Sequence, residues 1–371
     1  MRRLLIVLLF VPLALAQRHR LTTFSTETPE GQLLQQIGQE PTEAKKLELI
    51  EQFVAKFPAH EATPWVLVQL QTGYMKANQF DKALEAGEKL LKIDPLDAEV
   101  AHQNLKAAEA KKDPSLVTKW SGETAQAAQK MLASTQPKEE EAVEEWKREL
   151  EFSKQVIAYT EYSVYAMALQ LQEPREQVAL IETLEQRNPK SQYMAQARPV
   201  QFSSYLRMGD MPKAVAAAEK GLETDPNNMD MLLVVAGAYQ AEKREPEKVL
   251  AYTSKLIELT DKPAPQGANP EEWAKREKVL AARAYWIQGM QYFNGKKPKD
   301  ADAALRKGLP LMDDPNLQAG ATFHIGLIAY QSNNIMDAVK FFDQCAAIKS
   351  PYQAQAQQNL KAIKAQYRAV R

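Results

Sequence analysis

Histidines, cysteines and clustered carboxylates carry most catalysis and metal binding, and this chain uses them sparingly. The four histidines are His19, His60, His102 and His324, and none lies three or four residues from another, so no helical turn presents a metal pair. His102 and Lys106 share a helix face and read as a solvated surface pair, while His324 reads as packing or groove lining. A phosphate-binding loop needs a Gly five residues before the Gly of a Gly-Lys pair, and ahead of Gly295-Lys296 that position is Met290. Gly295 therefore reads as a turn between helices. The single cysteine, Cys345, shares an apolar stripe with Phe341 and Phe342, which predicts a buried thiol acting as a small hydrophobe. The acidic run from Glu139 to Glu145 lacks the interleaved Asp, Asn and Gly of a calcium loop and reads as a solvated helix face. The pairs Asp313-Asp314 and Glu271-Glu272 fall where helices open or close, so capping accounts for them. No catalytic residue, cofactor site or metal ligand is assigned, and the expectation is a protein that is not an enzyme.

With no reactive constellation to position, the question becomes what the chain builds. It has 371 residues, 45% of them hydrophobic, enough to bury a substantial core. Lys plus Arg and Asp plus Glu both number 47, which leaves no basic excess to draw it to nucleic acid or an anionic membrane. The first 16 residues read as an export signal: Arg2 and Arg3 form a charged head, Leu4 to Ala16 is apolar, and Ala14-Leu15-Ala16 is a cleavage site. An apolar run of 13 residues broken by Pro12 is too short to stay as a membrane span. Gln17, not Cys, follows the expected cut, which disfavours a lipid anchor. A periplasmic or secreted protein without stable membrane insertion is expected. Residues 17–31 are polar and Thr-rich and read as a flexible linker.

Prolines supply a repeat period. Pro58 to Pro95, Pro189 to Pro226 and Pro226 to Pro263 are each 37 residues apart, and Pro315 to Pro351 is 36. A Pro ends a helix by lacking an N–H and crowding the preceding turn, so regular Pro spacing marks units of fixed length. Tyr74, Tyr205 and Tyr330 each lie 21 residues before such a Pro; Ala83, Ala214 and Ala303 lie 12 before, and Ala338 lies 13 before. Turn signals fall between them at Asn78, Gly209-Asp210 and Asn333-Asn334. Each unit therefore reads as helix, turn, helix, Pro.

The stretches Tyr74 to Pro95, Tyr205 to Pro226 and Gly326 to Pro351 resemble tetratricopeptide repeats of the exported bacterial type. Gly326, Tyr330, Ala338 and Phe342 make the last the best match, whereas the slot of Gly326 holds Gln71, Phe202 and Ala236 elsewhere. The segment around Phe53, Phe57 and Pro58 is similar to repeats of outer-membrane assembly and envelope-division coordinator families over one helix. The resemblance implies an all-α fold, a right-handed α-solenoid of helix-turn-helix repeats with a C-terminal capping helix. Residues 32–133 are expected to form an N-terminal array and 134–371 a C-terminal one, with a long helix near 138–172, another from about Glu271 to Phe293, and a cap at 352–371.

In such a solenoid the first helices line a concave wall. The repeat frame places Trp65, Thr72, Lys76, Gln196, Ser203 and Arg207 on it, together with Tyr330, as groove candidates. The functional expectation is a scaffold that binds a peptide or protein in that groove. The alternative is a small-molecule or lipid carrier, which an aromatic cluster of Trp65, Trp146, Trp273 and Trp286 around one hole would favour.

Overall fold

A computed structural model describes residues 24–368 and His19. The expected export signal, residues 1–16, lies outside them, as does most of the linker. Every regular element among the described residues is helical, and the chain divides into two compact units between Met208 and Gly209.

The first unit holds α1 (Pro29–Gln39), α2 (Glu43–Lys56), α3 (Thr63–Lys76), α4 (Phe80–Ile93), α5 (Ala98–Lys111), α6 (Pro114–Leu132), α7 (Glu140–Gln170), α8 (Pro174–Arg187) and α9 (Met194–Met208). The second holds α10 (Met211–Thr224), α11 (Met229–Ala241), α12 (Pro246–Thr260), α13 (Pro270–Asn294), α14 (Pro298–Gly308), α15 (Pro315–Gln331), α16 (Ile335–Ala347) and α17 (Gln353–Arg368). Within each unit, a helix packs mainly on its sequence neighbour or on the next but one. The protein is thus an all-α solenoid, in which each layer buries its apolar face only against adjacent layers.

Five of the turns inside helix pairs are built the same way. Asn78, Lys243, Lys296 and Asn333, each one residue beyond the cap, and Lys112, at the cap itself, adopt φ between 54° and 60°, where the left-handed region closes a helix. In each, the next residue's N–H returns to a carbonyl five residues back, as from Gln79 to Tyr74 and from Asn334 to Ala329. The Gly295-Lys296 turn is present, but Lys296 takes the positive φ and Gly295 does not.

That closure fixes the repeat frame and corrects it twice. Counting from the left-handed residue, Tyr74 and Tyr239 align with Ala329, not with Tyr330. Ala338 lies nine residues after Ala329, as Ala83 lies nine after Tyr74, and both alanines are fully buried. Pro351 lies 22 residues after Ala329, where Pro95 lies 21 after Tyr74, and that one-residue difference had shifted the last unit. Likewise Ala301, fully buried, fills the small-residue position between α13 and α14, whereas Ala303 is exposed.

Two boundaries also differ from expectation. The helix α1 begins inside the anticipated linker, because the Thr28 hydroxyl accepts the Gly31 N–H and Pro29 suits a first turn. No break falls at residue 133: Phe152 and Val156 of α7 pack on Ala127 and Ala128 of α6, so both helices belong to the first unit. The stretch Ala98 to Leu132, which contains no Tyr, still forms the pair α5 and α6.

Candidate binding surface

The first helices of three successive pairs, α5, α7 and α9, carry an aromatic strip. Tyr159, Tyr162 and Tyr165 are spaced by three along α7, which places their rings along one side of the helix. Tyr193, at the mouth of α9, continues the series. Ring centroids are 6.2 Å apart for Tyr159 and Tyr162, 5.8 Å for Tyr162 and Tyr193, and 5.3 Å for Tyr165 and Tyr193, the last pair stacked at 17°. His102 of α5 closes the other end, edge-on to Tyr159 at 4.8 Å.

The strip is anchored at its base and open at its middle. The Tyr159 hydroxyl donates to Glu109 at 2.8 Å, whereas Tyr162 is 41% exposed and Tyr165 and Tyr193 are half-buried. Burial raises the Tyr165 and Tyr193 phenols above their ordinary range, so both remain neutral hydroxyl groups at physiological pH. Rings of this kind offer apolar faces beside polar tips, the combination that docks extended peptide backbone.

The groove candidates sit at different depths. Lys76, Gln196, Ser203 and Arg207 are exposed, and Thr72 is half-buried. Trp65 does not stand free, since its ring packs against the core of α2 and α3. Ser203 donates to Val200 O of its own helix at 3.0 Å. Lys76 and Arg207 share a frame position but not a role. Arg207 donates to Gln172 O at 2.7 Å and tethers α9 to the loop before α8, while Lys76 has no ion-pair partner among the described residues. Tyr330 is 42% exposed and donates to Gln366 of α17 at 3.2 Å, which makes it a tie to the capping helix.

A different tyrosine position holds layers together. Tyr205 donates to Glu182 at 2.6 Å and Tyr239 to Glu219 at 2.6 Å, and Tyr74 donates to Glu51; each bond runs back to the preceding second helix. A cation covers two of these rings, Lys82 at 5.2 Å from the centroid of Tyr74 and Arg244 at 3.9 Å from that of Tyr239. Desolvation together with the Glu219 carboxylate pushes the Tyr239 phenol up to about 12.

The remaining histidines are structural or unexpected. His324 is buried among Trp286, Phe293, Phe323 and Tyr352, with ring centroids 5.0–5.8 Å away, and its Nδ1 meets Gly320 O at 2.7 Å. Cys345 is fully buried, where desolvation raises its thiol above the ordinary range. His102 is not the solvated partner of Lys106. It wedges between Tyr159 and Phe152, and burial pushes it down to about 3. His19, remote in sequence from any ligand type, lies beside Asp94 and Asp97.

The second unit contains an open cleft of about 620 Å³ between α10 and α12, floored by Leu222, Leu232 and Tyr239 and edged by Glu219, Lys248 and Lys255. The four tryptophans named for an apolar cavity do not line it. Trp65 packs in the first core, Trp146 donates to Ser134 at 2.8 Å, Trp273 donates to Glu277, and Trp286 packs near α15. The described residues include no helix long and apolar enough to cross a membrane.

No protein-family profile and no curated protein matches this chain. Among solved structures, the crystal structure of yeast Tom70 aligns over 93% of this chain and 97% of its own, at 11% identity and a TM-score of 0.34. The crystal structure of the P58(IPK) TPR domain aligns over 93% of this chain and 99% of its own, at 12% identity and a TM-score of 0.27. Superpositions that loose carry no argument about partners or activity, so the solenoid class rests on this chain's own helices and turns.

Proposed function

We propose that this protein is a non-enzymatic interaction scaffold, exported to the periplasm or the secreted space, that binds an extended peptide or protein edge along its first helices. The observation that carries this reading is the strip of Tyr162, Tyr165 and Tyr193: Tyr165 and Tyr193 rest on the core of this unit, yet both stay half-open and Tyr162 beside them is 41% exposed. Lys76 and the exposed polar residues Gln196 and Ser203 lie on other first-helix positions of the same unit and offer hydrogen bonds to a bound backbone. The test is affinity purification after crosslinking in cells. The double variant Tyr162→Ala/Tyr193→Ala should lose partners that the parent captures. Lys76→Glu should weaken capture of acidic ones. Unchanged capture by the tyrosine variant would remove the proposal's main support.

A second reading, a small-molecule carrier, draws on the charged cleft between α10 and α12. Its lining of carboxylates, ammonium groups and tyrosines suits a polar molecule better than a lipid. Native mass spectrometry of purified protein would show a retained small ligand if this reading is right, and bare chain if it is wrong.

A further inference from the structure

The tyrosine strip runs from α5 across α7 to α9, so a ligand lying on it crosses the first helices instead of following one. Its rings stand against one another, with centroids 5.3–6.2 Å apart from Tyr159 through Tyr162 to Tyr193 and Tyr165. The hydroxyls of Tyr162 and Tyr165 bond no other described residue. Charge is unevenly placed along the strip. Burial first and then the charge of Glu161 raise the Tyr193 phenol, which sets that carboxylate at the α9 end. Glu161 accepts the Asn188 amide at 2.8 Å and makes no ion pair with another described residue. Burial first and then the charge of Lys106 lower His102, which sets that ammonium at the α5 end, where Glu109 holds Tyr159.

These features sort the ways a peptide can be held. Adding a strand needs a sheet edge with free backbone groups, and every regular element among the described residues is helical. An acidic or phosphorylated motif, or a C-terminal carboxylate, needs clustered cations or free N–H groups, whereas carboxylates flank these rings at both ends. An amphipathic helix seats separate knobs in separate holes, and rings in mutual contact leave no hole between them. What a continuous aromatic surface with open hydroxyls does accommodate is a flat-sided, extended chain whose carbonyls are unpaired.

We infer that the strip docks a proline-rich segment of a partner in the polyproline II conformation, with a lysine or arginine of that segment beside Glu161. Such a chain has no internal hydrogen bonds, so its carbonyls can accept from the Tyr162 and Tyr165 hydroxyls. Its rise of about 3.1 Å per residue brings roughly two residues to each ring-to-ring step. Pyrrolidine rings lie against aromatic faces, and the segment is stiff before it binds, so little chain entropy is lost on docking. The open carboxylate of Glu161 sets the direction, because a basic residue is favoured there and disfavoured beside Lys106. The inference rests on the strip being a docking surface and adds the kind of segment it takes.

The test is fluorescence anisotropy of labelled synthetic peptides titrated with purified protein: a decaproline ending in Arg, a decaproline ending in Glu, and a Gly-Ser chain of equal length. The Arg-ended decaproline should bind, the Glu-ended one about twofold to fivefold more weakly, and the Gly-Ser chain not at all. Tyr162→Ala/Tyr193→Ala should weaken the Arg-ended peptide by about tenfold or more. Tyr162→Ala alone, at an exposed ring, gives the same direction should the double variant fail to fold. Glu161→Gln should keep decaproline bound but erase the preference for Arg over Glu. Tyr330→Ala, at a ring 42% exposed in the other unit, should bind as the parent does. No decaproline binding by the parent, binding that the tyrosine variants leave unchanged, or an Arg preference that survives Glu161→Gln would overturn the inference. If decaproline fails while the double variant still loses partners captured in cells, this inference alone falls; if that capture is unchanged as well, the docking reading falls with it.

Discussion

The two units are stacked by the same helix-pair rule but sealed differently inside. In the first, polar bonds with at least one buried partner bridge helices. Gln71 donates to Asn104 at 2.9 Å, Arg187 to Ser121 at 2.7 Å and Ser204 to Gln177 at 2.7 Å, and Arg198 holds Glu185 through two bonds of 2.7 and 2.8 Å. In the second, the buried polar residues among those described are Thr253, Thr322 and His324, and each bonds a carbonyl of its own helix. Its layers meet through aromatic and small residues instead, with Phe342 against Gly326 and Trp286 against Gly320. Apolar contacts tolerate sliding, whereas a buried polar bond is satisfied in one register. The difference suggests that register is held most tightly where the tyrosine strip needs α5, α7 and α9 in fixed positions.

The largest expected effect tests that contrast directly. Arg198→Ala leaves the Glu185 carboxylate without its bidentate partner and should cost about 3 kcal/mol. Hydrogen-exchange mass spectrometry should show the loosening in residues 24–208 and little beyond Gly209; a uniform response would break the comparison. Smaller costs are expected from one change in each unit. Gln71→Leu strands the Asn104 amide and should cost about 1–3 kcal/mol. Gly326→Ala places a methyl 2.9 Å from the Phe342 ring and should cost about 1–3 kcal/mol by overpacking. Denaturant midpoints would rank them.

Acid gives the mildest and most distributed effect. Burial lowers both His102 and His324, so each is stabilised as the neutral ring. The unfolded chain then binds protons that the folded chain does not, and the stability present above about pH 6.5 is lost progressively as pH falls toward the lowered values. For His102 that window runs down to about 3. Thermal melts between pH 7 and pH 4 should fall, and His102→Phe should flatten the decline. An unchanged slope in that variant would contradict the burial of His102.

Much of the fold was legible because proline and turn chemistry are local. The Pro period, the Asn78 and Asn333 turns and the long α7 and α13 could all be read from single residues and their spacing. The turns at Lys112 and Lys243 could not, since lysine has no special preference for the left-handed region and only the surrounding helices force it there. Tyr330 was misplaced because Pro351 comes one residue late, 22 residues after Ala329 where Pro95 comes 21 after Tyr74, although the spacing from Tyr330 to Ala338, eight residues and not nine, carried the correction. The candidate surface was less visible. The three-residue spacing of Tyr159, Tyr162 and Tyr165 is in the sequence, but Tyr193 joins them only through tertiary packing. The approach of His19 to Asp94 and Asp97 has no local signal at all.

The central claim, that partners are held on the first helices of the first unit, is tested most directly by photo-crosslinking residues placed one at a time at Tyr162, Ser203 and Lys89 in cells. Lys89 is exposed on the second helix α4 and serves as the outward control. The account predicts the same partner crosslinked from Tyr162 and Ser203 and none from Lys89. Equal crosslinking from Lys89, or none from Tyr162, would contradict it.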